Sequence, residues 1–458
     1  MRQNKDVIMA FSVMGLLIIS VGLFQSWGVA LSILNLCLIS AVMTMGVNIS
    51  WGYAGIINFG VMGFIALGGL AAVVVSEEPI YEAWSAGGLG ILISIGLIVL
   101  LVLITKYILR ALPKSKKRNI ILTVVIIFFI ILIKKVSGPS IEAIESVNPA
   151  KQGFLGGLGL PIIFSWFVGG IFAGLVAFVI GKIALGLRSD YLAIATLLIS
   201  GIIVTVVKHE DWLSRGVKNV IGMKRPAPYE IDLQKADWFI NMISNLNSKK
   251  LDLITDISEK NILLRDLVIS ASGVFVKLCF AGLFSIVVVV LLILAQKALY
   301  SPWGRMMRAI RDNEEAAQAM GKNVVKQHLF IFIIGSAIVG FGGAMLVTYD
   351  GLFTPVSYQP LRYTFLIWIM VLVGGSGNNY GSILGGFLVW FIWIEAAPVA
   401  MFFINMFTNH LEDTHELKKH LINGVPYIRY TMMGIGLLVL MRYRPKGLLP
   451  EKIKLQNS

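Results

Sequence analysis

FVKLCFAGLFSIVVVVLLIL, residues 275 to 294, carries a single charged side chain, Lys277. A run of about 20 apolar residues is the length at which a helix crosses the hydrocarbon core of a bilayer. Helix is also the form in which such a run satisfies its own amides and carbonyls away from water. Val7 to Phe24, Leu97 to Thr105 with its apolar approach, and Leu329 to Leu346 read the same way. Across 458 residues, 57 % are hydrophobic and 14 % charged, where a soluble protein carries roughly a quarter charged. Glycine is spread through the apolar runs, as where membrane helices pack through small residues. The chain therefore reads as an all-α, polytopic helical membrane protein of about 10–12 transmembrane helices. It forms a single transmembrane domain over residues 1–458.

The expected spans are 7–24, 29–48, 53–75, 87–105, 119–136, 161–185, 190–207, 270–295, 328–348, 363–376, 382–408 and 429–441. The span 53–75 is glycine-rich and open to reading as a broken or re-entrant helix. The spans 363–376 and 429–441 are short for a crossing. If the N-terminus starts inside and the spans alternate, loop 106–118, the segment 301–323 and the tail all fall on the cytoplasmic side. The loop holds Lys106, Arg110, Lys114, Lys116, Lys117 and Arg118; the tail holds Arg442, Arg444, Lys446, Lys452 and Lys454. The outer loops 76–86 and 349–362 share one base, Arg362. That is the bias expected of cytoplasmic loops, and it puts both termini inside. The first apolar stretch reads as a retained span and not a removed signal peptide. Residues 208–269 form a long extracytoplasmic loop. Residues 409–428 suggest a short surface helix with Leu411, Leu417, Leu421 and Ile422 on one face.

Net charge of +14 follows from those loops and does not call for nucleic acid, since no soluble basic domain with stacking aromatics accompanies it. Cys37 and Cys279 lie in apolar runs, which disfavours a disulfide framework. His410, His415 and His420 lack metalloprotease spacing, so no metal is expected. No G-x-x-x-x-G-K-[ST] loop occurs, because Ile183 follows Lys182 and Asn323 follows Lys322; the chain is not expected to hydrolyse nucleotide or act as an enzyme. Glu395 is the best candidate for an intramembrane coupling acid. An ion-coupled secondary transporter or channel for a small polar solute is the competing reading that rests on it.

SPWGRMMRAIRDNEEAAQAMGKN, residues 301–323, interrupts the greasy chain with mixed charge. Ser301 and Pro302 suit a helix start and Gly321 a helix end. Met306, Met307, Ile310, Ala317 and Met320 make an apolar side, and Arg305, Arg308, Arg311, Asp312 and Glu315 a polar one. This predicts one short amphipathic helix on the cytoplasmic side. It could lie in lipid headgroups or dock into a soluble partner; the interspersed acids favour the partner. Ser336, Gly340 and Ala344, four apart, allow close packing of the helix that follows.

Glu315-Ala316-Ala317, Gly321 three residues on and Ile331 nine further resemble the E-A-A-x3-G-x9-I loop of bacterial ABC importer permeases. The whole segment resembles the corresponding loop of branched-chain amino acid ABC permeases. GYAGIINFGVMGF (52–64), GLRSDYLAIATL (186–197), DGLFTP (350–355), GGSGNNYGSILGG (374–386) and RPKGLL (444–449) resemble motifs of that family in the same order. The chain is most similar to the second of its two permease types. Val61 departs from the His or Gln often found there, and loops 106–118 and 208–269 look enlarged.

The resemblance implies inverted structural repeats and a bacterial cytoplasmic (inner) membrane location. It also implies a second permease subunit forming a heterodimer, two cytoplasmic ABC ATPases that hold ATP and magnesium, and an extracytoplasmic substrate-binding protein. This chain would carry no cofactor of its own and would touch membrane lipid. It would import branched-chain amino acids, although related permeases serve other amino acids, urea or short amides. In that role Arg308, Arg311 and Glu315 would make polar contacts with an ATPase, Met307 and Ala316 would pack on it, and Gly321 would make the turn. Asn48, Asn58, Gly60, Gly63, Gly374 and Gly375 would line the substrate path. The alternative for the two asparagines is hydrogen bonding to neighbouring helices.

Overall fold

The computed structural model describes residues 2–148, 153–254, 256–410 and 415–451, with the side chains of 2–4 and 361 excepted. Leu411, Lys452 and Lys454 lie outside the described residues. The membrane helices are α1 (Arg2–Phe24), α2 (Trp27–Val47), α3 (Val61–Ser76), α4 (Tyr81–Ala111), α5 (Lys116–Ser146), α6 (Ile163–Ala184), α7 (Ser189–His209) and α8 (Ile257–Tyr300). Two short helices follow, α9 (Pro302–Asp312) and α10 (Glu314–Ala319), and then α11 (Val324–Asp350), α12 (Leu366–Gly374), α13 (Asn379–Thr408) and α14 (Glu416–Tyr443). Among the described residues, 10 helices are long and apolar enough to cross a membrane, and α3 and α12 are shorter apolar helices between them.

Helix α11 is the axle of the bundle and packs on α6, α3 and α2. Small residues bring these backbones together, which is how helices associate where lipid removes the hydrophobic drive. A Cβ on Gly46 of α2 would stand 2.7 Å from the Gly335 carbonyl of α11, and one on Gly340 would stand 2.7 Å from the Gly169 carbonyl of α6. Ser336 and Ala344 of the same stripe are fully buried. Helix α13 pairs with α2 and α12 and is flanked by α1 and α14, while α8 lies along α2 and α7 along α3. The hairpin of α4 and α5 is outermost. Its anchorage is a small cluster of Ala83, Ile91, Ile144 and Leu155, with Trp212 against it.

Tertiary bonds sort the connections into two ends that alternate along the chain. At one end Ile80 donates to the Leu155 carbonyl, Leu158 to that of Val74 and Gly222 to that of Gly351. Val220–Ile221 pairs antiparallel with Leu352–Phe353 there. At the other end Leu448 and Leu449 donate to the carbonyls of Val373 and Gly374, and Arg311 reaches Gly52. This is the grouping that an even number of crossings requires.

Three stretches differ from the sequence reading, and a fourth takes one of the alternatives it left open. Residues 257–269, taken as loop, are the first turns of α8, whose 44 residues would measure about 66 Å at 1.5 Å per residue. Asp256 caps it by accepting from Ser258 N. Its projecting part is roofed by the helices Glu230–Lys235 and Asp237–Leu246, with Phe239 and Trp238 against Phe275. The expected surface helix in 409–428 and the short span 429–441 are one helix, α14, running through Pro426. Helix α5 continues beyond 136 through Pro139 to Ser146. Residues 53–75 are broken: Gly55 takes φ +70°, residues 55–60 are irregular, and helix resumes at Val61.

Candidate functional site

The single helix expected in 301–323 is an elbow of two. Ser301 Oγ accepts from Gly304 N at 3.3 Å and starts α9. Asn313 then leaves helical geometry at φ −155°, ψ 102°, and its side chain accepts from Ala316 N at 2.9 Å to start α10. Asn with acids directly after it is a helix-start signature, and Asn313-Glu314-Glu315 was its legible sign. Gly321, at φ +76°, closes the second helix as expected. Asn323 accepts from Lys326 N at 3.0 Å and begins α11. The elbow is thus capped at each corner and continuous with two long helices.

Its inner face is Gly304, Met307, Ile310 and Ala317. Met307, expected to pack on a partner, is fully buried within its own chain. Arg308 and Arg311, expected to point at a partner, turn back onto the chain. Arg311 Nη1 donates to the Gly52 carbonyl and, at 2.8 Å, to Glu451 Oε2. Arg308 Nη1 stands 3.9 Å from Glu451 Oε1, and Arg308 Nη2 donates to Leu299 O at 3.4 Å. Arg311 outweighs its own desolvation by these bonds, and its guanidinium is held more firmly protonated than usual. The outward face includes Arg305, Ala309, Glu314, Glu315, Ala316, Gln318, Ala319 and Met320, all exposed.

The six residues expected to line a path fall into two groups. Asn48, Gly374 and Gly375 lie at the elbow end. Asn48 is fully buried; its Oδ1 accepts from Gly377 N at 2.8 Å, and its Nδ2 donates to Asn379 Oδ1 at 3.2 Å. Tyr53 donates to that same Asn379 oxygen at 2.5 Å. Gly374 presses its backbone on Gly381, and Gly375, at φ +113°, on Leu449. Asn58, Gly60 and Gly63 lie deeper, at the break before α3.

Irregular backbone within a membrane must be satisfied by protein, and at this break side chains of neighbouring helices supply several of the partners. Phe59 N donates to Thr196 Oγ1 of α7 at 3.0 Å, Gly60 N to Asn58 Oδ1 at 2.8 Å and Met62 N to Thr364 Oγ1 at 3.2 Å. Trp368 Nε1 donates to the Asn58 carbonyl at 2.9 Å, and Asn58 Nδ2 to Ser336 Oγ of α11 at 3.4 Å. Gly63 lets α3 approach α7: a Cβ there would be 2.9 Å from Ser200 Cα. The exposed edge of the break is aromatic. Trp51 and Phe59 are half-buried beside Trp368, with ring centroids 4.7 and 4.9 Å away, and Phe365 adjoins Phe59. The break can therefore offer an apolar face backed by a hydrogen-bonded polar scaffold.

Thr196, Thr364, Trp368, Asn379 and Glu451 are the participants that sequence reasoning missed. Glu451 follows RPKGLLP as the one acid among the tail bases, which is a sign of an ion pair. Threonines in apolar helices give no such sign.

A family model described as "Branched-chain amino acid transport system / permease component" matches residues 29–409. The chain is 27 % identical over 191 residues to the probable branched-chain amino acid transport permease protein LivM of Methanocaldococcus jannaschii, covering 41 % of this chain and 51 % of that protein. It is 24 % identical over 301 residues to the high-affinity branched-chain amino acid transport system permease protein LivM of Escherichia coli, covering 64 % and 59 %. The Salmonella typhimurium protein of that name is 25 % identical over 299 residues, covering 63 % and 58 %. The chain thus spans between half and three fifths of the length of these curated relatives. No solved structure matches. With a bundle of membrane helices and a family model covering most of its length, the chain belongs to the permease-component family of branched-chain amino acid transport systems.

Proposed function

We propose that this chain is one of the membrane-spanning subunits of an ATP-driven importer for branched-chain or related amino acids. It pairs with a second permease, receives force from two cytoplasmic ABC ATPases and takes substrate from an extracytoplasmic binding protein. The observation that carries the reading is the capped elbow of α9 and α10. It exposes small residues and acids outward beside Arg305, turns Arg308 and Arg311 back onto the chain and runs without slack into α8 and α11. A headgroup-lying helix would point its bases at anionic lipid; this one turns two of its three arginines back onto its own chain. The elbow end is cytoplasmic in this reading, which puts both termini inside, and the connection between α7 and α8, with the projecting start of α8, faces the binding protein. The substrate passes the aromatic edge of the break at 55–60, and the expected inverted repeats belong to the same reading. ATP and magnesium are held by the ATPases and not by this chain.

The test is co-purification of the solubilised chain with the ATPases encoded beside it. Ala316→Arg, on the exposed face, should lower ATPase recovery at least tenfold with insertion unchanged; undiminished recovery would refute the docking face. One observation keeps a second reading open. Glu395 is buried, accepts from Gln25 Nε2 at 2.7 Å and has no partner for its other oxygen among the described residues. An ion-coupled carrier built on Glu395 predicts uptake that survives ATP depletion and fails with loss of the proton gradient.

A further inference from the structure

The tail of the chain is tied to the elbow by the Arg311–Glu451 ion pair. Residues 444–449 run along the end of α12, with Leu448 and Leu449 donating to Val373 and Gly374 and Asn378 Nδ2 donating to the Leu449 carbonyl at 3.0 Å. This brings Glu451 between the elbow and the inner end of α2. Its Oε2 holds Arg311, and the same guanidinium nitrogen grips the carbonyl of Gly52. Gly52 ends the π-helical turn Asn48–Gly52, directly before the break at 55–60. The turn is fixed on its other side through Asn48 to Gly377 and Asn379. Arg311 therefore joins three elements whose sequence positions are far apart: the elbow, the tail and the lead into the broken helix.

The carboxylate is also only half engaged. Glu451 Oε1 is buried with no hydrogen-bond partner among the described residues, and Arg308 Nη1 stands 3.9 Å from it. Arg308 and Arg311 are three residues apart on α9, so their side chains lie on one face. A sub-helical-turn movement of α9 would bring the second arginine to hydrogen-bond distance, the kind of discrete re-pairing by which packed elements switch.

We propose that Glu451 is a positioning residue, a clamp that makes α9 move together with the Gly52 end of α2, so that displacement of the elbow reaches the break at 55–60. This rests on the importer reading for its purpose but not for its geometry. Without the clamp, Arg311 keeps the Gly52 carbonyl and loses the buried anion that orients it.

Two measurements test it. The first uses the isolated chain in detergent and is independent of any ATPase. In Glu451→Gln, amide hydrogen exchange over residues 50–57 and 302–312 should rise at least threefold, with the transmembrane cores unchanged. Faster exchange confined to the tail at 444–451 would overturn the clamp. The second uses the full complex in proteoliposomes. Glu451→Gln should keep ATPase recovery while import per ATP hydrolysed falls at least fivefold, and Arg311→Glu with Glu451→Arg should regain part of that ratio. An unchanged ratio in Glu451→Gln, or a double variant no better than either single one, would overturn the proposal. If the wild-type chain binds no ATPase, the importer reading fails, and the exchange measurement still decides the clamp.

Discussion

Thr364 shows how one hydroxyl can hold a membrane protein's interior. It accepts from Met62 N and donates to the Phe59 carbonyl, so two backbone groups of the break depend on it. Thr364→Val keeps the shape and orphans both, at a cost of about 1–3 kcal/mol for each buried unsatisfied group. The expected outcome is a lower midpoint in thermal unfolding of the purified chain, with Thr364→Ser near wild type. Asn313 works at the surface by the same chemistry. Asn313→Ala removes the cap of α10 and should cost about 1 kcal/mol, read as faster amide exchange over residues 314–319 alone. The caps at Ser301 and Gly321 were legible because their residue types have few other reasons to stand there. Thr364 was not, since a threonine in an apolar helix more often bonds its own preceding turn, as Thr44 does with Ala41.

Among elements, the outer roof over α8 was read as loop, and it is a folded cap. Arg225 binds Glu230 through two nitrogens, at 3.2 and 2.7 Å. Burial alone would push the Glu230 carboxyl up, yet the Arg225 pair overrides it and holds it below the ordinary carboxylate range. A depressed native value means the contribution is complete above the unfolded value of about 4.3. It is lost as pH falls through the lower folded value. For a pair this exposed the amount is under about 1 kcal/mol. Exchange of the helix Glu230–Lys235 should therefore accelerate, relative to the intrinsic rate, as pH is lowered below about 4. In Arg225→Met that acceleration on lowering the pH should be lost. The elbow teaches a related lesson: charge pattern showed an amphipathic segment, but the direction each arginine took depended on a carboxylate that lies 140 residues away from Arg311.

At the scale of the molecule, the α4–α5 hairpin is an appendage. Its helices pair with each other, most of their surface faces outward, and the chain closes on either side of it where Ile80 donates to Leu155 O at 3.2 Å. Excising residues 82–152 and joining the ends with a short glycine-serine linker should leave a folded core. The check is a monodisperse elution profile and a thermal midpoint within a few degrees of wild type; aggregation would show that the hairpin is integral. Removal also preserves the number of crossings modulo two, so the tail should still meet the elbow.

The sequence by itself determined that this is a bundle of membrane helices and where each of them runs, to within a few turns. It also marked the interruption before α3, the amphipathic elbow and the alternation of its ends. Those properties are local: hydropathy over about 20 residues, a glycine, a cap, a cluster of bases. The tertiary structure alone decided that Arg308 and Arg311 face inward, that Met307 is core, that the residues expected to line a path form two groups, and that the break at 55–60 is bonded from three other helices. Each of those rests on partners far along the chain, such as Trp368 on Asn58 across 310 positions. A buried polar group must find a partner wherever the fold supplies one, and no window of sequence contains that partner.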